Sequence, residues 1–175
     1  MLKGIIQIIA WVVLLACIFV WLSANDNYNQ TVDRHLRAAA AAQRIEDMQA
    51  HLDTAVTNIQ NRGLTQGSTL NFVAPQGVSD SNVTCWYQDI AKTQQMAGWL
   101  ANSVRGRATS LTVEQSDSLL AQMDVFFRAA RITKEEAYAP RFISIFPNQA
   151  AVIILGVIAI VFLFITGGIS IFSRT

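Results

Sequence analysis

The chain has 175 residues, 52% hydrophobic and only 14% charged, with a formal net charge of +1. All twelve acidic and eleven of the thirteen basic residues lie between Asn25 and Gln149, so that segment is near neutral and carries no Lys/Arg run. Such a balance argues against nucleic acid or an anionic lipid surface as a partner of the segment.

The first apolar stretch, Ile5 to Leu22, follows Lys3 and ends in polar Ser23, Ala24, Asn25 and Asp26. Its run of about 18 residues exceeds the 7–15 of a signal-peptide core. An uncleaved membrane anchor is therefore preferred over a signal cleaved after Ala24. It is also preferred over a lipoprotein signal at Leu14-Leu15-Ala16-Cys17, because apolar residues Ile18 to Leu22 follow that cysteine. Trp21 suits a membrane interface. Trp11 lies nearer mid-span and is expected either to face lipid or to pack against a small residue such as Gly156 on the other span. Gln7 is expected to reach the interface.

From Thr31 to Arg62 there is no Gly or Pro. Ile45, Met48, Leu52, Ala55 or Val56, and Ile59 form a stripe at spacings of three and four, the signature of an amphipathic helix. Val32 and Leu36 form an earlier pair whose face is turned by about half a circle from that stripe. The reading is one helix of roughly 50 Å, stopped by Gly63. His35 and His51, the two histidines, would then point about 160° apart and share no metal. Asp47 with His51 is taken as a solvated face.

Residues 64–80 contain Gly67, Pro75 and Gly77 and read as an irregular insertion, with a short strand over Ser68–Val73. Ser81–Arg105 reads as a helix whose stripe is Val83, Trp86, Ile90, Thr93, Ala97, Leu100 and Val104, ended by Gly106. Thr112-Val113-Glu114-Gln115 has capping-box form and opens a helix to about Arg131. That helix should bury Leu119, Leu120, Met123, Phe126, Phe127 and Ala130. Thr133-Lys134-Glu135-Glu136 reads as a second capping box, opening a short helix stopped by Pro140.

Phe142 to Ser173 carries no charged side chain. Its centre is long enough to cross roughly 30 Å of hydrocarbon. Pro147 suits the first turn of this span.

The fold expected is an all-α membrane protein: two transmembrane helices flanking an extracytoplasmic antiparallel helical bundle with one loop-rich insertion. Its parts are a cytoplasmic N-terminus (1–4), a first span (5–23), the helical domain (24–148), a second span (149–169) and a cytoplasmic C-terminus (170–175). The central loop exceeds the roughly 60 residues over which the positive-inside rule operates. Both termini are therefore placed in the cytoplasm and the domain in the periplasm or outside, with the inner membrane as location.

Cys17 and Cys85 cannot form one intradomain disulfide, and two isolated cysteines make no metal framework. Cys85 is read as a buried thiol, with an intermolecular half-cystine as the alternative. No phosphate loop, nucleophile elbow or metal-ligand motif is found. Glu135-Glu136 fits a helix N-terminus. No enzyme activity, catalytic residue, metal or cofactor is expected. The partner-interface candidates are Cys85, Tyr87, Phe72, Trp11 and Gly156.

These readings favour a non-catalytic, membrane-anchored subunit docking onto a larger membrane or envelope complex, with a homo-oligomer as a further option. A first alternative is a ligand-sensing input module. The span–bundle–span plan resembles that of bacterial chemoreceptor input modules in architecture, without a shared motif, and only the short C-terminus, residues 170–175, follows the last span. Such a sensor would signal through partner spans. A second alternative is a small lysis or immunity protein, for which Gly156, Ala159, Gly167 and Gly168 form a thin small-residue seam.

Overall fold

The computed structural model describes residues 2–69, 82–105 and 113–172. The chain is mostly helical, with two isolated bridges and no strand among the described residues. Its helices are α1 (Leu2–Tyr28), α2 (Arg34–Ala41), α3 (Ile45–Asn61), α4 (Val83–Arg105), α5 (Val113–Ala129) and α6 (Gln149–Phe172). A π-helical turn, Asn29–Asp33, joins α1 to α2, and a 3₁₀ turn, Ile143–Ile145, precedes α6. The chain forms two compact units. One contains Met1–Asp26 with Ser144–Thr175, and the other is Asn27–Ile143.

In the first unit, two helices are long and apolar enough to cross a membrane. Only 6% of the apolar window in the first and 11% of that in the second is buried. A core helix of a soluble domain would be largely covered; these present Phe19 and Phe164 at 72% and 77% exposure. Pro147 stands ahead of α6 rather than in its first turn, and the Val152 N–H donates to the Asn148 carbonyl.

The second unit departs from the sequence reading at one decisive place. The expected single helix over Thr31–Arg62 is two helices. Ala42 (φ −67°, ψ 137°) and Arg44 (φ −128°, ψ 139°) are extended, so α2 ends and α3 starts across three residues. The half-circle rotation between the two apolar faces explains the break. A straight helix would bury either Val32, Leu36 and Ala39 or Ile45, Met48, Leu52 and Ile59 against one neighbour. Folding back buries all of them, as an αα-hairpin with a short loop allows. The Asn58 amide donates to the Thr31 carbonyl at 2.8 Å, and His35 meets His51. Early residues of one arm thus face late residues of the other, and the hairpin is antiparallel.

Helix α3 ends as its sequence dictates. Gly63 takes φ +69°, the Gly63 N–H donates to the Gln60 carbonyl and the Leu64 N–H to the Ile59 carbonyl. This is a Schellman cap with buried Leu64 over buried Ile59. Helix α4 then packs antiparallel on α3, fixed by Gln94 donating to Asp53 (2.7 Å) and Gln60 donating to the Tyr87 hydroxyl (2.8 Å). Asn82 caps α4 through its side-chain oxygen, which accepts the Cys85 N–H at 3.0 Å. The buried face of α4 is Val83, Trp86, Ile90, Thr93, Ala97, Leu100 and Ala101. Helix α5 packs on α4 and buries Met123 and Phe127, followed by Ala130; Leu119, Leu120 and Phe126 are half-buried.

The short helix expected after Thr133 does not form. The Thr133 hydroxyl does accept the Glu136 N–H, as a capping box requires, at 3.0 Å. The Glu136 carbonyl, however, accepts the Thr133 N–H at 2.7 Å and closes a tight turn. Ile132 and Ala137 bridge across it. Pro140 leaves too few residues for a helix to recover its nucleation cost. Glu135-Glu136 therefore lies in a turn, not at a helix start.

The ends of the irregular connection meet. Gly67 accepts the Val83 N–H (3.0 Å) and donates to Thr84 Oγ1 (2.9 Å), and Ser68 bridges to Asn82. The expected strand over Ser68–Val73 lies largely outside the described residues, as do Gly106 and Thr112.

Candidate functional site

Helix α4 presents two faces of opposite character. Positions 85, 88, 92, 95, 99 and 102 follow spacings of three and four and form its exposed side: Cys85, Gln88, Lys92, Gln95, Trp99 and Asn102. Five are polar or small. Trp99 is 65% exposed. Its neighbour Leu100 is 1% exposed, so the helical period alone places the indole on the outer side. Sequence reasoning passed over Trp99. The available signal was a large aromatic falling out of register with the apolar stripe.

The expected sites are placed as follows. Cys85 is exposed on this same face, against the expectation of a buried thiol. Position 85 precedes Trp86 on the helix, and it is the Trp86 side that turns inward, its indole N–H donating to the Tyr138 carbonyl at 2.8 Å. Tyr87 is half-buried and accepts a hydrogen bond from Gln60, so it joins α4 to α3. Phe72 lies outside the described residues. Trp11 is 54% exposed, and nothing stands within 4 Å of where a Gly156 Cβ would be. Ala10 and Ala159 are buried instead. They line an apolar groove of about 330 Å³ with Ile6, Val13, Leu155 and Phe162.

Two polar clusters emerge from the hairpin. In the first, Tyr28 is 5% exposed, Arg62 donates to the Asn27 side chain, and Asn58 holds the Thr31 carbonyl. Burial, and then the Asp33 charge, push the Tyr28 hydroxyl pKa above its ordinary value, with the Arg62 charge acting the other way. Burial lowers the Arg62 pKa. In the second, His35 Nδ1 and His51 Nδ1 stand 3.3 Å apart, their ring centroids separated by 5.6 Å and planes inclined at 42°. Burial first, then His51 and Arg34, hold the His35 imidazole below its ordinary pKa of 6.5. The sequence expectation had these rings on opposite sides of one helix. The break at residues 42–44 removes its premise.

No protein family, curated protein or solved structure matches the chain.

Proposed function

We propose that this chain is a non-catalytic subunit of a larger membrane or envelope complex, anchored by spans at 5–23 and 149–169. In this reading both termini lie in the cytoplasm, in the inner membrane. Residues 24–148 form the extracytoplasmic antiparallel bundle that docks on other subunits. The bare apolar sides of α1 and α6 suit lipid contact, since lipid tails are as apolar as the side chains they meet.

The observation that carries the docking role is Trp99. A tryptophan 65% exposed on a polar helix face loses hydration of its ring only when a partner covers it. Tryptophan is over-represented among the residues that dominate binding energy. Cys85 shares that face at the other end of α4.

The test is purification of the full chain from native membranes in mild detergent, beside the variant Trp99→Glu. The wild type should bring other subunits in fixed stoichiometry. The variant should lose them at unchanged yield and thermal midpoint. A monodisperse wild-type protein that brings nothing with it would overturn the proposal.

A further inference from the structure

The hairpin sets two imidazole nitrogens at a separation with chemical meaning. Two nitrogen ligands at 2.0–2.1 Å on a tetrahedral ion stand about 3.3–3.4 Å apart. On adjacent corners of a square plane they would stand about 2.9 Å apart. His35 Nδ1 and His51 Nδ1 are 3.3 Å apart. An ion bound to both would sit roughly 1.2 Å off the line joining them.

We propose that His35 and His51 form a two-imidazole site for a tetrahedral divalent cation, zinc being the ion whose geometry fits. The site bridges α2 and α3 and goes beyond the docking role. No third His, Cys or carboxylate gathers there among the described residues. Two coordination positions are left to water or to a further group.

Three further observations bear on it. Both rings are half-buried, so the site is open to solvent while its ligands are held. Burial lowers the His35 pKa, the direction that favours the neutral ring a metal requires. Arg34 acts against a cation, but its side chain is exposed and its field is screened by salt and water. Without metal, one Nδ1–H donates to the other Nδ1. Binding needs both Nδ1 lone pairs, so the donating ring's proton passes to its Nε2 and no proton is released.

Zinc bound here joins the arms of a hairpin whose loop contains neither Gly nor Pro, and it should stabilise the folded unit by mass action. The test uses the untagged, metal-stripped full chain in mild detergent. Zinc should raise the thermal midpoint by roughly 5 °C at saturation, with one ion per chain, while magnesium should not. Side-chain ¹⁵N spectra should show both Nδ1 resonances moving to metal-bound positions on zinc addition, with both Nε2 atoms protonated at saturation and only the Nε2 of the ring that gave up its Nδ1 proton shifting strongly. His35→Ala and His51→Ala should each weaken zinc binding at least tenfold, and Cys85→Ser should leave it unchanged. If the alanine variants fold poorly, His35→Asn and His51→Asn keep a polar group near the ring nitrogen and should lose the zinc response. A zinc response that survives in the double variant, or Nδ1 resonances that zinc leaves in place, would overturn the proposal.

Discussion

Gly63 and Tyr28 have single-residue roles that follow from backbone conformation and burial. Gly63 holds φ +69° in the Schellman cap of α3, with nothing within 4 Å of a would-be Cβ. The cost of Gly63→Ala is therefore conformational, about 1 kcal/mol for an L-residue in the left-handed region. The thermal midpoint should fall by roughly 2–4 °C for a chain of this size, while Gly98→Ala, whose Cβ would meet Gln49 Nε2 at an ordinary 3.6 Å, should not lower it comparably. Tyr28 is the second case. Its folded pKa lies above the unfolded value of 10.0 through burial and the Asp33 charge. The folded state holds the proton where the unfolded chain releases it. Stability is thus complete below pH 10 and is lost as pH rises beyond it. Denaturation measured from pH 8 to 11 should show a shallower alkaline loss in Tyr28→Phe than in the wild type. Equal slopes would mean that Tyr28 is not the responsible group.

At the scale of elements, the hairpin α2–α3 governs both polar clusters and the placement of α4. Its existence can be read by distance. Spin labels at Arg34 and Thr54, both exposed, would stand about 30 Å apart on one continuous helix. In the hairpin, with helix axes about 8–10 Å apart, the labels should fall below about 20 Å. A population near 30 Å would restore the straight helix and remove the His35–His51 pair. The apolar stripes themselves were legible: every stripe position of α3 is buried, and Val32 and Leu36 are buried too. The break was not legible, because Ala42, Gln43 and Arg44 carry no breaker residue. Extended φ/ψ is open to any L-residue, and only the competing demands of two faces on one core select it. The same applies at Thr133, where the local capping bond forms but the helix does not, since its continuation would have to be won within a few residues of Pro140.

At the scale of the whole molecule, the proposed reading turns on which side of a bilayer residues 24–148 would face. Cys85 is exposed, whereas Cys17 lies within the first apolar helix. A membrane-impermeant maleimide added to intact cells should modify Cys85 in the Cys17→Ser variant. Reaction only after permeabilisation would place residues 24–148 inside and overturn the proposed orientation. Charge offers little guidance here, because the segment between the two apolar helices is longer than the reach of the positive-inside rule.

The amino-acid order by itself determined the two apolar helices, the helical stripes and the Gly63 stop, because each depends on residues within a turn or two of one another. Only the tertiary structure decided where the long helix folds, which rings meet and which side of α4 stays bare. His35 and His51 are sixteen positions apart and become neighbours only because burying two opposed apolar faces in one core outweighs the loss of a few helical hydrogen bonds.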